Sequence, residues 1–569
     1  MNISMAKVFL LSFLVFCKFI GGELRAQSSP QFNKGKDVLV VYSDVPGLKP
    51  SDKYSIRIRS AATKNEWVNC FANYTYNRAF ELPQIKLSSG GMNPRNVQNY
   101  QKFTSGWSQT YGTIEMTKNQ PVEVEISSNV INISKAAVHP VQKASAVTVV
   151  GGKAYFTINN PAQVVIDING QMDDFNKATD DKSANQDYIT HTISLFANPI
   201  MNKSQDKGAK ILYVEPGVMP INNPASYDVM MFKPGVHDIG KSFKVYAGKK
   251  YYIPGDAIVY GTFNNLGLTA SDGLQSGENI TIYGSGTISG AKIQHPGYLQ
   301  GTIQSEIEAD YKSIAINNGM NVEIKGICVV DPAFHSVNLV AWGGRPDKAK
   351  EVTFARWVKV ISWRANGDGI GSTHLVEDCF LRTADDCSYI KGSRRRCVFW
   401  KESNAAVFNF SGIPDPKSFF PIVIEDCDVI YSRTTPYNYK AGIFVQRAAG
   451  LPSVQRNVNV SIKDIRITDP KSNIPVFNFF SMDSTKNAGN ANNSYNYGSS
   501  YSGITFQNIT VKYPPVIGGL TQVLTGNAKA PWNGGLVFEN VTIAGKKLAI
   551  SDFRINEYVK DILIDGTKY

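Results

Sequence analysis

The sequence predicts an all-β chain, an N-terminal β-sandwich followed by a right-handed parallel β-helix. Three observations carry that prediction: short period-two segments in the first third, a loose repeat of Asn-initiated strands further on, and a scarcity of capped helix-period stretches.

The sandwich is expected over residues 27–207. Short segments at 38–42, 54–59, 122–127, 154–158 and 164–168 alternate and are separated by turn signals. Val122-Glu-Val-Glu-Ile126 has one apolar and one polar face, the pattern of half-buried antiparallel strand. From 208 to 569 the texture changes. Asn279-Ile-Thr-Ile, Asn321-Val-Glu-Ile, Asn457-Val-Asn-Val, Asn508-Ile-Thr-Val and Asn540-Val-Thr-Ile recur inside apolar-alternating runs, and Asp561-Ile-Leu-Ile-Asp-Gly continues them. One such strand cannot bury its inward face alone, so successive units must stack into a solenoid, with Asn side chains bonded in a turn ladder. The lack of β-α alternation excludes a doubly wound sheet and a (β/α)8 barrel, which need intervening helices.

Residues 1–26 read as a signal peptide: Lys7, an apolar run over 8–17 too short to span a bilayer, and a small-residue stretch ending in Leu24-Arg25-Ala26. A mature chain beginning near Gln27, secreted or periplasmic and with no membrane anchor, is therefore expected. Removing those residues takes away Lys7, Lys18 and Arg25 against Glu23, lowering the formal charge from +12 to +10. The basic balance suits an anionic partner but says nothing of fold. Arg394-Arg395-Arg396 is its sharpest local patch and is expected in a solvated loop between two strands. Cys70, Cys328, Cys379, Cys387, Cys397 and Cys427 fit no zinc template, and five of them lie in apolar strand-like runs. They are either core residues stacked in neighbouring coils or, in an oxidising compartment, partners in disulfides.

One stretch departs from the apolar ladder. Trp363-Arg-Ala-Asn-Gly-Asp368-Gly is followed by Thr383-Ala-Asp385-Asp386-Cys, placing Asp368 and Asp385 17 residues apart. With coils of about 20 residues, the two fall at equivalent places on adjacent coils and bring three carboxylates to one patch. Like charges that close cannot all ionise, which leaves a protonated acid beside an ionised base. Glycosidic cleavage needs that pairing: one carboxyl to protonate the leaving oxygen and another to activate water. Asp is also common in turns, but an acidic pair running into the strand-like Cys-Ser-Tyr-Ile is poor local chemistry unless something uses it.

The run from Asp331-Pro-Ala-Phe-His335 through Gly-Asp368-Gly, Asp385-Asp386, Lys391 and Trp400-Lys-Glu-Ser-Asn404 resembles family 49 of the glycoside hydrolases, the dextranase and isopullulanase family. Phe232-Lys-Pro-Gly-Val-His, Ile253-Pro-Gly-Asp-Ala and Gly284-Ser-Gly-Thr-Ile-Ser-Gly290 resemble that family's entry into its β-helix, and Leu195-Phe-Ala-Asn-Pro-Ile the end of its sandwich. The resemblance implies an inverting mechanism with Asp385 as general acid and Asp368 and Asp386 holding and deprotonating water. It implies a substrate cleft lined by His335, Trp363, Lys391 and Asn404, an α-glucan such as dextran cut internally at α-1,6 bonds, and no cofactor or metal. Ala384 stands where dextranases are expected to carry Asn, and the spacing from Asp368 is shorter, so the cleft wall beside the acid differs. The Asn-x-Asp, Gly-His-Gly and Arg-x-Lys order of pectin-cleaving β-helices does not occur.

Two other readings stay open. The same Asp triad could act on an anionic or sulfated polysaccharide, as the net charge and the Arg run suggest, or the chain could be a non-catalytic carbohydrate-binding β-helix. Crowded carboxylates argue against a neutral-sugar lectin. The expected partner is a polysaccharide, with no nucleic acid and no membrane, and the expected state is a monomer.

Overall fold

The computed structural model describes residues 31–569 apart from 77–107, 171–191, 202–207, 294–309, 414–419, 434–440, 447–454, 481–499, 515–521 and interruptions of one or two residues. The leader segment therefore lies outside the described residues.

The N-terminal strands form two sheets. One runs in the order Gln31–Lys34, Asp37–Val41, Ser108–Met116, Thr192–Asn198, Ala162–Ile168 and Ala136–His139; the other joins Val68–Cys70, Tyr54–Ser60, Val122–Ser128, Lys153–Ile158 and Thr148–Val150. Both contribute to one apolar cluster, with Leu39, Ile114, Val164, Ile166 and Leu195 from the first and Ile56, Ile58, Val122, Val124, Ile126 and Phe156 from the second. The alternation of Val122-Glu-Val-Glu-Ile126 thus works as read, but Glu125 is not solvated: it accepts from Arg57 at 3.0 Å and Tyr155 at 2.9 Å. Pairing is antiparallel with one exception, since Thr192–Asn198 runs parallel to Ser108–Met116.

Beyond Ile211–Val214 the chain winds into stacked parallel strands that run to Leu563–Ile564. No α-helix occurs among the described residues. The Asn ladder follows from backbone geometry: Asn279, Asn321, Asn508 and Asn540 all adopt left-handed φ between 51° and 56°, a conformation that Asn tolerates better than most residues. Asn321 donates to Asn279 at 2.8 Å, Asn540 to Asn508 at 2.8 Å and Asn508 to Asp464 at 3.0 Å. Asn457 differs from the expectation; it lies within the strand Gln455–Ile467 and Asp464 takes its place in the ladder. Inside the coils, Phe408, Phe444 and Phe477 stack with centroids 5.1 and 5.6 Å apart.

All six described cysteines are free and buried, so the stacking alternative holds and the disulfide one does not. Cys379, Cys397 and Cys427 follow one another on three successive coils, because Phe380, Val398 and Asp428 are in register.

No strand pairing joins the N-terminal sheets to the solenoid among the described residues. Side chains join them instead. Tyr111, Val165 and Phe196 pack with Ile361, Trp363, Phe380, Trp400 and Tyr431 in one buried cluster. A polar seam runs beside it: Asn198 donates to Ser285 at 3.0 Å, Ser285 donates to Glu115 at 2.7 Å, and the buried Lys359 ammonium donates to Asn198 at 3.1 Å.

Candidate active site

The Asp-Gly and Asp-Asp motifs meet because coils stack in register. Val337, Ile370 and Ser388 bridge one another in parallel. Two residues earlier on each coil stand His335, Asp368 and Asp386, so these three form a row across adjacent coils. Backbone bonds hold it: Ser336 N–H donates to the Asp368 carbonyl and Gly369 N–H to the Asp386 carbonyl, each at 2.9 Å. Gly369 is required there, since a Cβ would collide with the Cys387 carbonyl, and a Cβ on Gly367 would collide with the Ser362 hydroxyl. That explains the glycines on either side of Asp368.

The carboxylates are recessed, with Asp368 3%, Asp385 5% and Asp386 0% exposed. Asp386 is fixed by the following coil, its Oδ1 accepting from Ala406 N–H at 2.9 Å and its Oδ2 from the Asn409 amide at 2.8 Å. Asp385 Oδ1 accepts from Asp386 N–H at 2.9 Å. His335 Nε2 lies 3.6 Å from Asp368 Oδ2, and its ring stacks on Phe334. The turn carrying His335 is anchored by Arg364, which binds Asp331 bidentately at 2.8 Å through Nε and Nη2 and donates to the Ile293 carbonyl at 2.5 Å. Lys391 follows the strand Ser388–Tyr389 and is half-buried; burial pushes its ammonium below the usual lysine range.

Two expectations are corrected and one is not reached. Trp363 lines no cleft: it is 0% exposed and belongs to the cluster between the N-terminal sheets and the solenoid. Its ring stacks on the Arg382 guanidinium, whose other neighbour is Trp400, at 5.0 and 4.3 Å. Arg394-Arg395-Arg396 is not a solvated loop. Ser393–Arg395 is a strand, and Arg394 is 0% exposed and donates to Ser388 Oγ at 2.6 Å and the Thr373 carbonyl at 3.1 Å. Arg395 pairs with Glu425, and Arg396 with Glu377 and Asp378. Asn404 lies outside the described residues.

Among relatives, the dextranase of Arthrobacter sp. (strain CB-8) is 24% identical over 310 residues, 49% of this chain and 46% of that protein. The dextranase of Arthrobacter globiformis is 21% identical over 444 residues, 71% of this chain and 66% of that protein. Among solved structures, Dex49A from Penicillium minioluteum superposes with a TM-score of 0.67 over 93% of this chain and 98% of its own, at 14% identity. The chain is family 49-like. No protein-family model matches it. It spans between about half and two thirds of the curated relatives it matches.

Sequence reasoning passed over several charged residues that this site gathers. Lys401, Arg382 and Glu402 are each 0–1% exposed and stand beside the acid pair, with Arg382 bound to Glu402 at 2.8 Å. Their signal was available: Arg382 and Lys401 interrupt otherwise apolar strands, Phe380–Thr383 and Val398–Lys401, and a charge inside such a strand needs a partner. On the turns that continue past the acid pair, Arg433 and Asp469 join Lys135, His139 and Asp167 of the N-terminal sheets around a cavity of about 300 Å³.

Proposed function

We propose that this chain is an exported glycoside hydrolase that cleaves a polysaccharide by single displacement, with Asp385 as general acid and Asp368 and Asp386 positioning and deprotonating the attacking water. The observation that carries the reading is the row of His335, Asp368 and Asp386 beside Asp385, a cluster of recessed carboxylates on adjacent coils. In such a step Asp385 gives its proton to the glycosidic oxygen as the bond to the anomeric carbon breaks, and water attacks from the opposite face while losing its proton to the other carboxylates. Asp386, whose two oxygens both accept protein donors, is held in place for its role at the water. His335 and Lys391 are assigned to sugar hydroxyls. We read residues 27–207 as a β-sandwich domain that walls the cleft, residues 208–569 as a right-handed β-helix, and the protein as a monomer.

An α-glucan such as dextran, cut internally at α-1,6 bonds, is the substrate favoured by likeness to two dextranases. An anionic polymer loses its local support, because the Arg394–Arg396 cations are spent on backbone carbonyls, Glu377, Asp378 and Glu425. The test is reducing-end release from a panel of neutral and sulfated polysaccharides, with the anomer of the first product followed by NMR. Inversion on an α-glucan, lost by about 10³-fold or more in Asp385→Asn with folding and polymer binding intact, is expected. Initial retention of configuration would overturn the single displacement, and turnover of sulfated polymers alone would overturn the substrate.

A further inference from the structure

Lys401 ends the strand Val398–Lys401 in register with Thr383, two residues before the acid, and none of it reaches solvent. Its ammonium donates to the Asp385 carbonyl at 2.8 Å and to the Glu402 carbonyl at 2.7 Å, with the Thr383 carbonyl at 3.5 Å. These acceptors satisfy its hydrogens but are neutral, so they do not balance its charge. A buried ammonium without a counter-charge costs several kcal/mol, and the neighbours identify what balances it.

On its own coil, Glu402 is taken by Arg382, whose Nη1 also donates to the Ser108 carbonyl and Gln109 of the N-terminal sheet, both at 3.2 Å. On the following coil, Arg433 hands its N–H to the Lys401 carbonyl and binds Asp469 with its guanidinium. Those two pairs balance internally. On the preceding coil stand Asp385, Asp386 and the Cys387 thiol, one coil further back Asp368, and on the coil before that His335. The charge left for Lys401 is that of the acid pair.

We propose that Lys401 is a positioning residue for the acid pair: it clamps the main chain of Asp385 and supplies the buried positive charge beside the Asp385 and Asp386 carboxylates. This rests on the hydrolase reading for its consequence in catalysis. Thr383 reinforces the clamp, its hydroxyl donating to the same Asp385 carbonyl at 2.7 Å. Burial pushes the Lys401 ammonium downward, and Cys387, Asp385, Asp386 and Glu402 pull it back toward the charged form.

The test compares Lys401→Met, Lys401→Arg and Glu402→Gln by two readouts. Carboxyl ¹³C NMR of Asp-labelled protein, assigned with Asp385→Asn and Asp386→Asn, follows the titration of the pair without any substrate. The pH dependence of kcat/KM follows its use. Lys401→Met is expected to move both to higher pH by about one unit or more, with kcat down ten- to a hundred-fold and KM changed little. Lys401→Arg is expected to keep the titration near the wild-type position. Glu402→Gln leaves Arg382 unbalanced and is expected to move it to lower pH. Opposite shifts support the proposal; a titration unmoved in folded Lys401→Met, or shifts of one sign in both variants, overturns it. If Lys401→Met does not fold, the other two decide, with an unmoved Glu402→Gln titration counting against the proposal. If no polysaccharide is turned over, the hydrolase reading falls while the NMR titration still decides the counter-charge.

Discussion

At His374, one imidazole shows how far burial outweighs nearby chemistry. Its Nδ1 accepts the Val352 N–H at 3.1 Å, its ring packs edge-on against Phe420, and 3% of it is exposed. Burial first, then the neighbouring Arg345 and Arg394 cations, push its pKa down to about 3. A base held neutral in the fold loses stability to acid: above pH 6.5 both states are neutral and the contribution is complete, and between 6.5 and about 3 the unfolded chain takes up a proton that the native state refuses. Urea denaturation at pH 7 and pH 4.5 should therefore show a larger loss of stability on acidification in the wild type than in His374→Gln. Equal losses would mean that His374 protonates in place. In the acid cluster, donors from Ala406 and Asn409 hold Asp386 without exposing it.

An element of this fold is a short strand repeated one coil later, and repetition is what made it readable. Left-handed Asn residues at turns and period-two apolar residues are local signals, so the solenoid, the Asn ladder and the approach of Asp368 to the acid pair were legible in the residues alone, although the residue in register with Asp368 is Asp386 and not the expected Asp385. What covers the outer face of a strand is not a local property. Trp363 reads as cleft-lining until Tyr111, Val165 and Phe196 are found packed in the same cluster, and three consecutive arginines read as loop until the first of them, Arg394, is found bonded to carbonyls of its own and the preceding coil. Close coil contact also sets a sharp limit on substitution. Gly369→Ala should cost about 1–3 kcal/mol, because its methyl would displace the Cys387 carbonyl or the Asp368 backbone. Turnover should fall with it even below the melting temperature; unchanged activity and stability would show that adjacent coils can slide apart at the site.

Across the whole molecule the N-terminal sheets and the solenoid share charges as well as apolar surface. Lys359, fully buried where Asn198 meets the coil, has its pKa lowered to about 8 by burial, with Cys328, Cys379 and Glu115 partly opposing. Below pH 8 the ammonium is charged in both states and the fold bears the cost of burying it. From 8 to about 10.5 the native state releases its proton before the unfolded chain does, so stability rises with pH. Subtracting the profile of Lys359→Met should isolate that rise, and a flat difference would place the charge in solvent. Chemical reactivity follows from the same packing. Cys379, Cys397 and Cys427 stand on three successive coils with 0% exposure, so an alkylating reagent can reach them only when those coils part. Each thiol is then a clock for its own coil, and peptide mass spectrometry of slowly labelled native protein should time the opening of the solenoid beside the acids without any probe being introduced.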